Sequence, residues 1–292
     1  MAPKNDPEQL RLALPKGRMQ AGVFQLLADA SINLRAGERS YRPVISMPHF
    51  EVKILKPQNI VGMLDVGARD IGFAGADWVA ELGAELVEVL DTGLDPVRLV
   101  AAAPTEFLDN GALPTGTPLV VASEYERLTR RWIADRGIEA TFLKSYGATE
   151  VFPPEDADCI IDNTATGSTL RSNNLTIVDE LMTSSTRLYV NPAIMEDPVR
   201  RELVENLAML LRSVLESRLR VMVELNVPPD KLNDVVAILP CMRQPTVSTL
   251  NGDAGFAVKV AVPRSELTSL IPIIKGKGGS DIVVTALAQI VP

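Results

Sequence analysis

Histidine is almost missing from this sequence: His49 is the only one in 292 residues. Metal sites built on several imidazoles are thereby excluded within one chain. A Ser/His/Asp or Cys/His relay would have to use His49, whose segment SMPHFEVKIL shows no partner pattern. A surface or strand-end role is its default. Cysteine is nearly as scarce, and Cys159 and Cys241 stand far apart without a CxxC pairing. Neither a disulfide framework nor a thiolate zinc site is readable, which is consistent with a reducing compartment. No run approaches the ~20 apolar residues that span a bilayer, and the start, MAPKNDPEQLR, lacks the apolar core of an export signal. The expected location is the cytoplasm, with no membrane partner. Positive charge is also in deficit, with 29 Lys plus Arg against 37 Asp plus Glu and a net charge of −8. A general nucleic-acid binder is excluded on that balance, and any polyanionic ligand has to find a local positive site.

What is present suits a globular enzyme or binding protein. The chain is long enough for about two domains of ~150 residues, and 46% of it is apolar at a mean hydropathy of +0.12. LRLALPKGRMQAGVFQLLADASI reads as a strand at 10–14, a turn at 15–17 and a helix with Val23, Leu26, Leu27 and Ala30 inside. Strands follow at 50–55, 70–74, 118–122, 140–143, 159–162 and 186–190, with helices at 57–66, from Ala76, and up to Gly137. Such alternation predicts a parallel α/β sheet. There are too many units for one small sheet, so the expectation is two α/β lobes, with the chain crossing between them and a cleft for a ligand. Leu203, Leu207, Leu210, Leu211 and Val214 mark one long amphipathic helix over 197–219. Beyond it the order βαββαβ is the ferredoxin-like arrangement, which hosts many unrelated functions.

The stretch DADCIIDNTATGSTLRSNNL, residues 156–175, carries the chemistry. A buried strand ends at Asp162, and Thr164, Ala165, Thr166, Gly167, Ser168 and Thr169 then turn the chain into a helix. Gly167 permits close backbone approach, while hydroxyls and helix-start amides aim donors at one spot, an anion site. No lysine follows the glycine and no GxGxxG is spelled, so a phosphomonoester fits better than a nucleoside triphosphate chain. Asp162, at the carboxyl end of its strand, is placed to accept from sugar hydroxyls. Taken alone, TGST also reads as a Ser/Thr-rich turn with a helix cap.

Several motifs in order carry a resemblance over nearly the whole chain: LALPKGR, DIGFAGAD, SEYERLTRRW, YGATEV, DNTATGSTL and PTVSTL. Together they resemble the long form of the ATP phosphoribosyltransferase family, which opens histidine biosynthesis. The resemblance implies condensation of ATP with 5-phosphoribosyl 1-pyrophosphate, with Mg2+ as the cofactor. It also implies periplasmic-binding-protein-like lobes, here lobe I at 1–100 and 183–217 and lobe II at 101–182, and a regulatory domain at 218–292. Residues 164–169 would cradle the 5-phosphate and Asp162 would face the ribose. Lys16 and Arg18 match positions facing the substrate phosphates, and Tyr125, Arg130 and Glu150 match positions near the nucleotide. Adenine N1 has a free lone pair at neutral pH, so no acid or base residue is assigned. Without the resemblance Arg130 reads as part of a solvated helix face.

In the tail, Asn226, Thr246 and Asp281 match positions of a histidine pocket, with histidine as feedback inhibitor. Each also reads as a cap or turn of a small sheet. Dimers assembling into hexamers are implied as well. The chain departs from the family pattern at Asn163, where an aliphatic residue is usual. It departs again in the short FPPEDAD, and at Lys56-Pro57-Gln58-Asn59 in place of Arg-Pro-x-Asp. Two rival readings are a two-lobed solute-binding protein, which would lack its export signal, and a catalytically inactive effector-binding subunit, against which the intact 162–169 loop argues.

Overall fold

In the computed structural model, which describes residues 9–35, 41–242 and 244–291, hydrophobic spacing and local geometry agree from the first unit onward. The first eight residues of the stretch read for an export signal lie outside the described residues. Strand β1 (Leu10–Pro15) is buried along most of its length and leads to α1 (Arg18–Asp29), which buries Met19, Val23, Leu26 and Leu27. The short β2 (Leu34–Arg35) and β3 (Val44–Ile45) pair with each other. Then come β4 (Phe50–Leu55), α2 (Pro57–Asp65), β5 (Ile71–Gly75) and α3 (Ala76–Leu82). Pro57 opens α2, where its missing N–H costs nothing.

The next strand, β6 (Val87–Pro104), is 18 residues long. It is followed by β7 (Leu119–Ser123), α4 (Glu126–Arg136), β8 (Ala140–Lys144), β9 (Cys159–Thr164) and α5 (Ser168–Ser172). A second long strand, β10 (Leu175–Val190), has 16 residues and precedes α6 (Pro192–Glu196) and α7 (Pro198–Leu219). Eight strands form one sheet in the order β4-β1-β5-β10-β6-β9-β7-β8. The outer triplets β4-β1-β5 and β9-β7-β8 are parallel, whereas β10 and β6 run antiparallel to each other and to their neighbours. The sheet is therefore mixed, not parallel as the alternation predicted, and a two-stranded ribbon joins its two parallel α/β halves.

The ribbon escaped the sequence reading for a physical reason. Gly93, Asp95 and Pro96 signal a turn in the middle of β6, and the pairing absorbs them as a bulge: Thr186 faces Leu94, yet the next residue, Arg187, faces Asp91. Further along, β6 alternates its faces. Leu99, Ala101 and Ala103 pack with Trp132 and Tyr125, while Val100 and Ala102 pack with Ile160 and Leu170. The other half has its own core of Ala13, Ile60, Val61, Leu64, Ala74 and Tyr189.

Contacts divide the chain into two compact units, residues 1–28 with 32–205, and residues 29–31 with 206–292. The second unit contains β11 (Arg220–Val227), α8 (Leu232–Val236), β12 (Thr246–Thr249), β13 (Phe256–Pro263), α9 (Leu267–Gly276) and β14 (Ser280–Ala286). Its antiparallel sheet has the order β12-β13-β11-β14, the ferredoxin-like topology expected of βαββαβ. Val221, Val223, Leu225 and Val227 alternate into a core closed by Val235, Leu270 and Ile274.

Candidate active site

The loop after β9 is held by its nearest neighbours. The Gly167 amide donates to Thr164 Oγ1 at 3.0 Å, and the Thr166 hydroxyl donates to Ser168 Oγ at 3.0 Å. Gly167 has φ +74°, which suits glycine, and a Cβ there would lie 2.9 Å from the Arg171 guanidinium. The loop borders a cavity of about 330 Å³ that Arg18, Glu150, Asp162 and Asn163 complete. Burial pushes the Asp162 carboxyl up to about 6; an amide hydrogen bond from Asn163 opposes this, Glu150 and Glu124 add to it, and Arg18 opposes it. The cavity thus offers hydroxyls and amides on one side and a carboxylate on the other.

A second cavity, of about 310 Å³, adjoins the first and shares Arg18 and Asn163 with it. Lys16, Gln58, Trp78 and Tyr125 also line it. Its wall is aromatic: the Trp78 and Tyr125 rings stack with centroids 4.7 Å apart and planes 29° apart. Local turns and long-range hydrogen bonds together place both rings. Asp77, Trp78 and Glu81 follow Gly75 on α3, and the Glu81 carboxylate accepts from the Arg127 and Leu128 amides, capping α4 from outside. The Tyr125 amide donates to Ser123 Oγ at 2.9 Å, and the Tyr125 carbonyl accepts from Thr129. Its fully buried hydroxyl donates to Asp77 Oδ2 at 2.7 Å. Burial first, then Asp77, holds that phenol protonated, well above its usual range. The other Asp77 oxygen accepts from Ser184 at 2.8 Å. Gly75 is needed here because a Cβ would collide with the Asp77 carboxylate.

Most of the candidate residues converge. Asp162, Thr164, Ala165, Thr166, Ser168 and Thr169 line the loop cavity, and Gly167 shapes their turn. Arg18 reaches both cavities and Lys16 reaches the aromatic one, donating to Tyr41 Oη at 2.9 Å. Glu150 faces the loop cavity, because the turn at 149–151 packs beside β9. Arg130 lines neither cavity. It sits on the exposed side of α4 with Nε 2.9 Å from Glu126 and its guanidinium 5.0 Å over the Phe142 ring.

Asp77, Trp78 and Ser184 were not singled out in the sequence, and Gln58 was noted only as part of a departure from the family pattern. Asp77 lay within DIGFAGAD, the one signal that pointed to it. Gln58 Oε1 is buried without a partner among the described residues, an acceptor at the cavity wall.

In the tail, Asn226 Nδ2 donates to Asp281 Oδ2 at 3.0 Å and Ser280 Oγ donates to the same oxygen at 2.9 Å. These bonds, from Asn226 first, hold the Asp281 carboxyl below its usual range. Thr246 is not with them: β12 and β14 are opposite edges of the sheet, three strand spacings or roughly 14 Å apart. Among the described residues no group of three or more His, Cys, Asp and Glu clusters as a metal site, and no helix is long and apolar enough to cross a membrane.

Comparison with known proteins bears on both units. A sequence model of the ATP phosphoribosyltransferase family matches residues 56–213, and one described as HisG, C-terminal domain matches residues 218–289. The chain is 37% identical to an ATP phosphoribosyltransferase of Pelotomaculum thermopropionicum over 289 residues, 97% of this chain and all of that one. It is 38% identical to one of Desulforudis audaxviator over 289 residues, again 97% of this chain and all of that one. Among solved structures, an ATP phosphoribosyl transferase (HisG:HisZ) complex from Thermotoga maritima matches with a TM-score of 0.63 at 28% identity. That match covers 71% of this chain and 99% of the other.

Proposed function

The chain belongs to the ATP phosphoribosyltransferase family, and on that premise we propose how its two cavities divide the reaction. The enzyme joins N1 of adenine in ATP to C1 of 5-phosphoribosyl 1-pyrophosphate. The N1 lone pair forms the new bond, and the electrons of the breaking C1–O bond leave with pyrophosphate. The phosphoribosyl donor occupies the loop cavity, with its 5-phosphate on residues 164–169 and its ribose hydroxyls donating to Asp162. ATP occupies the aromatic cavity, its base against Trp78 and its phosphates toward Lys16 and Arg18. The observation that carries this reading is that the two cavities adjoin at Arg18 and Asn163, so nucleophile and electrophile meet at a shared seam.

Catalysis follows from alignment of the two reactants and from charge placed where charge develops. Arg18 faces the departing pyrophosphate, and the Asp162 carboxylate faces the ribose as C1 gains positive character. A free adenine N1 needs no base. Mg2+ would arrive on the substrate phosphates: no group of three or more His, Cys, Asp and Glu among the described residues could hold it, and this cation keeps phosphate and water ligands rather than a closed protein cage. When bound, it supplies neutralisation of the leaving pyrophosphate.

The tail is assigned to histidine feedback inhibition, with Asn226 and Asp281 as the polar anchor. Inhibition requires histidine to bind one of two conformations more tightly. Thr246 falls outside that anchor. We place the enzyme in the cytoplasm as a homo-oligomer of dimers and hexamers; light scattering that returned a monomer throughout the active concentration range would remove the assembly claim.

The test is pyrophosphate release with ATP, phosphoribosyl pyrophosphate and Mg2+, with pyrophosphatase drawing the equilibrium forward, with and without histidine. Turnover that histidine suppresses supports both assignments. Turnover indifferent to histidine leaves the enzyme and removes the effector role of the tail. No turnover in folded protein would favour an inactive effector-binding subunit.

A further inference from the structure

At the seam of the two cavities, a chain of hydrogen bonds orients one carboxamide. Both Asp77 oxygens accept, one from Ser184 and one from the Tyr125 hydroxyl. Having committed its proton to Asp77, the Tyr125 oxygen has only acceptor capacity left. It accepts from Asn163 Nδ2 at 3.0 Å. The amide therefore cannot turn over, since Oδ1 against Tyr125 would leave two acceptors face to face. Oδ1 points toward Arg18, whose Nη1 lies 3.5 Å away. One Nδ2 hydrogen and an Oδ1 lone pair remain for a ligand at a position that lines both cavities.

We propose that Asn163 determines nucleotide specificity by reading the N6–N7 edge of the adenine ring, Oδ1 accepting from the C6 amino group and Nδ2 donating to N7. This rests on the placement of ATP in the aromatic cavity. A carboxamide matches that edge with two hydrogen bonds, and the choice of edge follows from the chemistry. N1 is the nucleophile, so a contact that engaged its lone pair would block the reaction, whereas the N6–N7 edge leaves N1 free and turned toward the ribose. Guanine presents two acceptors, O6 and N7, on the same edge and would set O6 against Oδ1. Asp77 and Tyr125 are positioning residues: they act through Asn163.

The experiment compares kcat/KM for ATP and 7-deaza-ATP in the wild type and in Asn163→Leu. The analogue keeps N1 and the amino group and replaces the N7 acceptor with C–H. The wild type is expected to use it about tenfold less well, the worth of one buried hydrogen bond. Asn163→Leu is expected to lose efficiency with ATP and to use the two nucleotides equally. Equal use by the wild type, or a preference that survives in Asn163→Leu, overturns the proposal. A merely structural role would lower both nucleotides together and leave their ratio intact, which also overturns it. Should Asn163→Leu fold poorly, the wild-type comparison still decides, and Tyr125→Phe, which releases the amide to turn over, is expected to narrow the preference. The ATP placement is tested separately: Trp78→Leu is expected to raise KM for ATP, and an unchanged KM would remove the premise rather than the reading of Asn163.

Discussion

The two cavities that meet at Arg18 and Asn163 are built in opposite ways. The loop wall of the first cavity is made by neighbours in sequence: Gly167 bonds Thr164, Thr166 bonds Ser168, and the Asn163 backbone amide bonds Asp162. The aromatic cavity is made by residues far apart in the chain, with Asp77 bonded to Ser184 and to Tyr125, and Tyr125 to Asn163. Both open to solvent, but the network behind the second is buried, with Asp77, Tyr125 and Ser184 all shut off from water. A change in the loop should therefore cost ligand contacts and spare the fold. A change in the aromatic network should cost both, because buried polar partners are left unpaired.

Breaking this contrast starts with Asp77→Ala, which strands two buried hydroxyls. It is expected to lower stability by about 3 kcal/mol in urea denaturation and to lose turnover with it. A full-strength fold in this variant would show that the aromatic cavity is as locally determined as the loop. Asp162→Ala should do the reverse, lowering turnover by about a hundredfold or more with the urea midpoint unmoved or raised. A lowered midpoint would move Asp162 into the structural network.

Asp162→Asn sharpens the contrast through pH. The folded carboxyl is raised from 3.8 to about 6, so folding carries the cost of its charge in full above pH 6 and none of it below about pH 4. The amide is expected to be more stable than wild type by about 1–2 kcal/mol at pH 8 and equal to it at pH 4. In the wild type, kcat/KM for phosphoribosyl pyrophosphate should fall as pH drops through about 6, where Asp162 takes up a proton and stops accepting from the ribose; a flat profile would remove it from the site.

Smaller effects follow. Thr164→Val removes the acceptor for the Gly167 amide and is expected to raise KM for phosphoribosyl pyrophosphate about fivefold while leaving KM for ATP in place. Arg130→Ala closes the series with less than about a twofold change in kcat/KM, since an exposed pair with Glu126 contributes little. A large loss there would mean that the helix face reaches the substrates.

The sequence alone determined everything that depends on near neighbours. The parallel strands, α1 and α2, the ferredoxin-like tail and the Asp162–Thr169 loop were all legible, because period, caps and turn residues act over a few positions. Tertiary structure decided the rest. Only pairing across the sheet reveals that 87–104 is one strand, since its partner β10 supplies the bonds that a Gly-Asp-Pro segment cannot signal by itself. Only folding brings Asp77, Tyr125, Asn163 and Ser184 together, and only the order of the tail strands parts Thr246 from Asp281. The physical reason is the same in each case. A hydroxyl or carboxylate gains its role from the partner that burial gives it, and that partner lies beyond the range over which sequence pattern acts.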